Sequence, residues 1–187
     1  MAVNQFNLKE GQRAERKLLI TVAEWESEDG TITVDGKKVD REILGTRTPD
    51  SSIEFNADIT TETDVRGINY TDYNKTQPQQ DFDPYLILGG SKLGAFLNDI
   101  RRRNALSELS QFTIYVITAF IGDATNGYDA ERHTGCTISY SSIGGDVNVN
   151  FPISIYLSNN DKGSGRPGTG KVDKLSYDFT YTPDVTI

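Results

Sequence analysis

Alternation of apolar and polar residues is the feature of this sequence that most restricts its fold. Successive side chains of a strand point to opposite faces, so a period of two predicts strands that bury one face. The period is present in four segments, residues 53–60, 136–140, 147–155 and 174–181, whereas the strand predicted at 18–23 is fairly apolar on both faces. Asp-Gly pairs at 29–30 and 35–36 predict turns, since both residues of such a pair tolerate a positive φ. The sequence therefore predicts a mainly β chain of about seven to nine strands.

One segment has a helical period instead. Apolar side chains recur at the i, i+3, i+4 and i+7 spacing of one helix face, at Leu93, Phe96, Leu97 and Ile100. Ser91 is placed to cap the amino end, and the arginines at 101–103 complement the helix dipole at the other end. Segment 112–121 is apolar on both faces, which is typical of a strand that is covered on both sides. These features predict a β-sandwich or β-barrel with one flanking helix at about residues 91–105.

The length of 187 residues fits a single domain, and the sequence contains no internal repeat. Residues 1–16 are polar and are interpreted as an N-terminal arm. Residues 61–84 are polar without a sustained period and are predicted to form a long loop, and 158–171 a flexible Gly-rich loop. The long loop carries Tyr70, Tyr73 and Phe82, and these aromatic side chains predict a segment that docks on something.

Composition disfavours catalysis and metal binding. The chain has one His and one Cys, His133 and Cys136, which removes most metal and triad chemistry and any internal disulfide. We interpret His133 as a loop residue and Cys136 as a small buried apolar residue of a strand. No catalytic residue, cofactor or metal site is predicted.

Charge and hydropathy restrict the partners. There are 27 acidic against 19 basic residues, for a net charge of −8, which disfavours a protein that grips phosphates. The amino terminus lacks the apolar segment of a signal peptide, and the apolar run 112–121 is about half a membrane span. The sequence therefore predicts no membrane contact.

Two local motifs match a functional spacing only in part. Residues 165–171 have the spacing of a phosphate-binding loop, but Val172 follows the lysine where a Ser or Thr should hold magnesium. A strand pattern, not a helix, continues the chain, so we interpret the motif as an inter-strand loop. Asp58, Glu62 and Asp64 form an acidic cluster whose spacing matches no calcium loop.

The order of segments across residues 43–183 resembles that of the major tail proteins of long-tailed bacteriophages, which build the tail tube, and is most similar to those from Gram-positive hosts. The segments are ILGTRTPDSSIEFNADITTETDVRGINYTDY, FDPYLILGGSKLGAFLNDIRRRNAL, FTIYVITAFIG, GCTISYSSIGGDVNVNFPISIYLSN and GKVDKLSYDFTYTPD.

The resemblance implies a β-sandwich or barrel with one flanking helix that closes hexameric rings around a lumen. Rings of this family stack through a long loop and a terminal arm, and double-stranded DNA passes through a generally negative lumen without specific binding. The implied partners are other copies of the chain and the tape measure, tail terminator and distal tail proteins. The implied location is the tail of a virion assembled in the cytoplasm of the host bacterium.

Two sets of site residues follow from alternation and this resemblance. Glu54, Asp58 and Asp178 occupy polar strand positions and are predicted to face the lumen, where fixed negative charge repels DNA phosphates. The aromatic residues of the long loop, Tyr70, Tyr73 and Phe82, are predicted to lie at the interface between rings.

Other interpretations stay open at this point. A β-sandwich binding, adhesion or decoration module of a phage particle has the same strand count and acidic charge. A tube subunit of a tailocin, a headless tail particle, has the same sequence features as a phage tail subunit. An enzyme is the weakest alternative, because only carboxylate chemistry remains to it.

Overall fold

The structure is a computed structural model that describes residues 6–45, 48, 51–56, 58–63, 65–75, 77–146, 148–158 and 167–184. Strands make up 46% of it, in a large antiparallel sheet with one α-helix. The predicted mainly β class with one flanking helix is therefore confirmed.

The strands in chain order are β1 (Leu19–Glu26), β2 (Ile32–Val34), β3 (Lys37–Ile43), β4 (Ile53–Glu54), β5 (Asp58–Thr63), β6 (Asn69–Lys75), β7 (Gln79–Phe82), β8 (Phe112–Asp123), β9 (Gly127–Tyr140), β10 (Ile153–Tyr156), β11 (Gly168–Val172) and β12 (Tyr181–Pro183). The α-helix α1 spans Lys92–Arg103, and short 3-10 turns span Arg16–Leu18 and Leu106–Ser110.

The main sheet has the order β2-β3-β1-β8-β9-β10-β7-β4, and β5 and β6 form a separate two-stranded sheet. The long strand β9 connects two halves of the main sheet, because its first part pairs with β11 and its last part with β10. A register shift between β8 and β9 occurs beside Gly135, whose φ is +68°. An extra residue in one strand bends the sheet at such a bulge.

The main sheet curls so that β7 comes to face β1 across the interior. Gln80 of β7 accepts a hydrogen bond from the hydroxyl of Thr21 on β1 at 2.8 Å, and its amide donates to the hydroxyl of Ser51 at 3.0 Å. All three side chains are buried. These buried polar side chains are hydrogen-bonded to one another, and they connect β7 to β1 across the interior.

The interior of the curl is the larger hydrophobic core. It contains Trp25 and Phe112 from the central strands, and Leu93 and Leu97 from α1. The ring of Trp25 stacks on Phe96, with centroids 5.6 Å apart. The apolar stripe of the helix therefore packs on the sheet as its spacing predicts.

The amino end of α1 is capped by two side chains. The Ser91 hydroxyl accepts from the backbone N–H of Gly94 at 3.0 Å, as the sequence predicts. Glu42 on β3 accepts from the N–H of Leu93 at 3.0 Å, so it places negative charge at the positive end of the helix dipole. The helix ends in the three arginines, followed by Asn104 in the left-handed region with φ of +55°.

A second core covers the opposite face of β1 and β8, where a buried ion pair joins three segments. Arg41 Nε lies 2.6 Å from Glu24 Oε2, and Arg41 Nη1 donates to the carbonyl of Phe179 at 2.7 Å. The guanidinium carbon lies 4.1 Å from the Phe179 ring centroid. Burial raises the pKa of the neighbouring Tyr115, which keeps its hydroxyl protonated beside Glu24. The ion pair thus holds the C-terminal segment against the sheet.

The last predicted strand is much shorter than its period indicates. Residues 173–178 form bends and a turn, and only Tyr181–Pro183 joins the sheet. Phe179 is buried because it packs on Tyr115, whereas Tyr177 is 55% exposed. The period here reflects a folded turn that returns one aromatic ring to the core, not a continuous strand.

Arg41→Met tests the buried ion pair. The substitution leaves the Glu24 carboxylate buried without its cation, so we expect the free energy of unfolding to fall by about 3–5 kcal/mol in urea denaturation. The double variant Glu24→Met/Arg41→Met should recover much of that loss, since it removes both charges. A single variant as stable as the unmodified protein would contradict this role.

Candidate assembly and channel surfaces

A projecting β-hairpin replaces most of the long loop predicted at 61–84. Strands β5 and β6 pair with each other from Thr63 opposite Asn69 down to Asp58 opposite Lys75. The prediction of a loop was wrong because the alternating residues here are mostly Thr, Asn, Asp and Glu, so no apolar period marks the strands.

The hairpin is exposed at every position whose side chain the structure describes. Between Ile59 and Thr71, every side chain whose burial is described is exposed. Its apolar side chains are Ile59 at 54%, Val65 at 104% and Ile68 at 55% exposed. A two-stranded hairpin is at best marginally stable alone in water, and exposed apolar side chains cost free energy. The described hairpin thus exposes three apolar side chains, as some other parts of the described surface do at Phe6, Leu106 and Val149.

The aromatic residues predicted at the ring interface occupy different places. Tyr70 lies opposite Glu62 in the hairpin, and Tyr73 lies opposite Ile59. Their side chains lie outside the described part of the structure, so their predicted role stays a prediction. Phe82 instead belongs to β7 and is 1% exposed within the larger core. Because its ring packs inside the subunit, we remove it from the interface.

The outer face of β10, β7, β4 and the part of β9 that pairs with β10 is polar and acidic. Alternation directs Ile155 and Gln80 inward, and it leaves the opposite positions outside. These outward positions are Glu54, Gln79, Asp81, Thr137, Ser139, Ser154 and Tyr156. Neither Lys nor Arg occurs among these outward positions.

Two carboxylates carry the charge of this face. Glu54 and Asp81 are both exposed, and Gln79 beside them donates its amide to Asp81 at 2.9 Å. Glu54 thus occupies an exposed, negative sheet surface, as its predicted role requires.

The other two predicted lumen residues differ from Glu54. Asp178 lies in the C-terminal turn, where it accepts from Lys174 Nζ at 2.7 Å and from the hydroxyl of Ser176. The hydrogen bond from Lys174 lowers the pKa of Asp178, and the lysine offsets its charge. Its assignment to an alternating strand was wrong. Asp58 begins β5, and its side chain lies outside the described part of the structure.

His133 is a buried strand residue, not the loop residue predicted. In β9 it is 3% exposed, with Nδ1 2.8 Å from the carbonyl oxygen of Ser158 and Nε2 3.3 Å from a carboxylate oxygen of Glu131. Both ring nitrogens face acceptor oxygens of the same subunit. These contacts position the ring within the fold.

The remaining motifs are structural in the described residues. Gly168–Val172 form β11, antiparallel to β9, so Lys171 lies in a strand and not before a helix. Residues 159–166, which include the start of the phosphate-loop spacing, lie outside the described residues. Across the described ranges no group of three or more His, Cys, Asp or Glu side chains could hold a metal ion. Neither α1 nor the described 3-10 turns have the length and apolarity needed to span a membrane.

Cys136 provides a test of the buried bulge in β9. Its side chain is fully buried, and burial raises the pKa of the thiol to about 11. Because the thiolate is the reactive form, we expect iodoacetamide at pH 8 to label the native protein far more slowly than the urea-unfolded chain. The labelling rates are measured by mass spectrometry, and equal rates for the native and unfolded protein would contradict this burial.

Comparisons with known proteins assign no function to these surfaces. A scan against protein-family models found no match, and a search of curated proteins found no significant match.

Proposed function

We propose that this protein is a non-enzymatic structural subunit of a bacteriophage tail tube. Copies of the chain form hexameric rings, and the rings stack into a conduit through which DNA leaves the particle. The observation that carries the proposal is the projecting β5–β6 hairpin. Its two strands form a sheet separate from the main sheet, and its described apolar side chains are exposed.

The hairpin supports a repeating assembly in particular. Within the proposal, a different surface of a second copy covers the hairpin, which makes the contact heterologous. Heterologous contacts propagate from copy to copy and produce rings or open-ended stacks. Within the proposal, the hairpin connects one ring to the next.

The acidic outer face supports a conduit for DNA. Glu54 and Asp81 place negative charge on a sheet surface whose outward positions include no cation. Fixed negative charge repels phosphates, so DNA that passes such a surface is not retained. Within the proposal this face of the main sheet lines the lumen, and Asp58, at the start of β5, keeps its predicted lumen-facing role.

The remaining partners and the location belong to the same proposal. The tape measure, tail terminator and distal tail proteins contact the tube inside and at its ends, and the subunit resides in the tail of the virion after assembly in the bacterial cytoplasm. A tailocin tube differs in the particle to which it belongs. A binding, adhesion or decoration module is the alternative that the following experiment separates.

Negative-stain electron microscopy of the concentrated protein tests the proposal. We expect six-fold rings or tubes.

Removal of residues 60–72, with Ile59 and Tyr73 joined through Asn-Gly, should leave a monomer that no longer polymerises. The deletion ends before β7 because Gln80 and Phe82 belong to the core. An unchanged urea midpoint controls for folding. Protein that stays monomeric in its full-length form would favour a binding module, and normal tubes from the deletion would refute the role of the hairpin.

Lysine substitution tests the acidic face. Tubes of Glu54→Lys/Asp81→Lys should retain double-stranded DNA at low salt and release it as salt rises, since each neutralised phosphate adds about −0.9 to the logarithmic salt slope. The control Glu54→Gln/Asp81→Asn removes the same carboxylates without adding cations. Ejection or filter-retention assays measure the effect. If the lysine-substituted tubes retain no more DNA than the unmodified tubes, this face lies away from the DNA path.

A further inference from the structure

We propose that the β8–β9 turn contains a modification site, the Asn126–Gly127 peptide, at which the carboxylate of Asp123 suppresses deamidation. The sequence has one Asn-Gly pair, and this is it. The site lies within one subunit, so it does not depend on the proposed assembly and its product can be measured in the monomer.

The reaction at this peptide is intramolecular. The backbone nitrogen of Gly127 loses its proton and attacks the side-chain amide carbon of Asn126, and the amide nitrogen leaves as ammonia. Water then opens the succinimide ring and gives aspartate or isoaspartate at position 126. Asn is a thermolabile residue for this reason, and a following glycine favours the attack because it has no side chain to obstruct the approach.

The turn leaves the side chain of Asn126 open to water. Residues 123–126 are all exposed, and Asp123 at the end of β8 pairs with Gly127 at the start of β9. Solvent base can therefore reach the peptide, and solvent water can open the ring. Exposure and sequence alone predict that this pair deamidates readily.

One carboxylate binds both ends of Asn126. Asp123 Oδ1 accepts from the backbone N–H of Asn126 at 2.8 Å and from that of Thr125 at 2.7 Å. Asp123 Oδ2 accepts from Nδ2 of Asn126 at 2.9 Å. The carbon that is attacked carries Nδ2, so a side chain held in this way is not free to rotate onto the nitrogen of Gly127.

Gly127 is held from the other side of the turn. It is buried, its φ is +83°, and β11 packs against its backbone. A Cβ atom at this position would lie 3.1 Å from the carbonyl oxygen of Val172, which is closer than ordinary van der Waals contact. The attacking nitrogen therefore belongs to a residue with little room to move, and the turn restrains both reacting groups.

The charge of Asp123 opposes the same reaction. The side-chain hydrogen bond from Asn126 lowers the pKa of Asp123, and so do the backbone hydrogen bonds and the charge of Lys171. The carboxylate thus stays ionised. Attack by a deprotonated amide produces a negative tetrahedral intermediate, whose free energy a neighbouring negative charge raises, whereas hydrogen-bond donors would lower it.

Deamidation removes the contact that suppresses it. A carboxylate at position 126 has no proton to donate to Asp123 Oδ2 and repels that oxygen instead. The turn then keeps its two backbone hydrogen bonds to Asp123 and gains a like-charge contact. We therefore expect the modified β8–β9 turn to be less stable than the unmodified one.

Peptide mapping by mass spectrometry measures deamidation at position 126 in mildly alkaline buffer. The native protein should react about ten-fold more slowly than the urea-unfolded chain, and Asp123→Ala should recover much of that factor. Ten-fold in rate corresponds to about 1.4 kcal/mol, close to the net contribution of one hydrogen bond to a charged group. Isoaspartate among the products identifies the succinimide route.

Three further variants are the controls. Asp123→Asn keeps an acceptor oxygen for the two backbone N–H groups but loses the charge, so its rate should lie between those of the unmodified protein and Asp123→Ala. Asp29→Ala removes an exposed aspartate from another turn and should leave the rate unchanged. Asn126→Gln, whose longer side chain disfavours the five-membered ring, is the blank. An unchanged urea midpoint controls for folding.

Two outcomes would overturn the proposal. Native protein that deamidates as fast as the unfolded chain shows that the turn gives no protection. Asp123→Ala that reacts no faster than the unmodified protein, or no faster than Asp29→Ala, shows that the carboxylate is not the cause. If Asp123→Ala does not fold, Asp123→Asn provides the same test, and a rate equal to that of the unmodified protein then counts against the carboxylate.

Discussion

Strands β1 and β8 carry apolar side chains on both faces, and the rest of the fold provides the two covers that they need. On one face, α1 and the curled-over strands β7 and β10 close the larger core around Trp25 and Phe112. On the other, the C-terminal segment lays Phe179 on Tyr115 and is held there by Arg41 and Glu24. The second cover therefore depends on a buried charge pair, whose partners cannot be lost separately without a large cost.

What remains outside these covers is informative about function. The β5–β6 hairpin presents apolar side chains to water, and the outer face of β10, β7, β4 and the end of β9 beside β10 presents carboxylates without cations among its outward positions. In the proposed tube, the first binds a second copy and the second faces the DNA.

Local signals were predicted well, and long-range pairings were not. The helix followed from neighbouring residues, since Ser91, the apolar stripe and the terminal arginines all lie within one segment. Glu42, which also caps that helix, comes from β3 and left no local signal. Phe82 appeared to belong to a polar loop until its pairing with Ile153, far along the chain, placed it in the core. Glu54 was placed on an exposed polar face by alternation alone, whereas Asp178 was misplaced because a turn can imitate a period of two.

The sequence by itself determined the mainly β class, the helix with its Ser91 cap, the two-faced apolar character of β8 and the scarcity of catalytic residues, because each depends on spacing or composition within a short window. Only the tertiary structure decided that β7 crosses to β1 through Gln80, that His133 is buried, and that the hairpin stands apart from the main sheet. These features depend on which strands meet. Every strand offers the same backbone hydrogen-bonding groups. The period of the sequence therefore determines which face of a strand is buried, but not which other strand pairs with it.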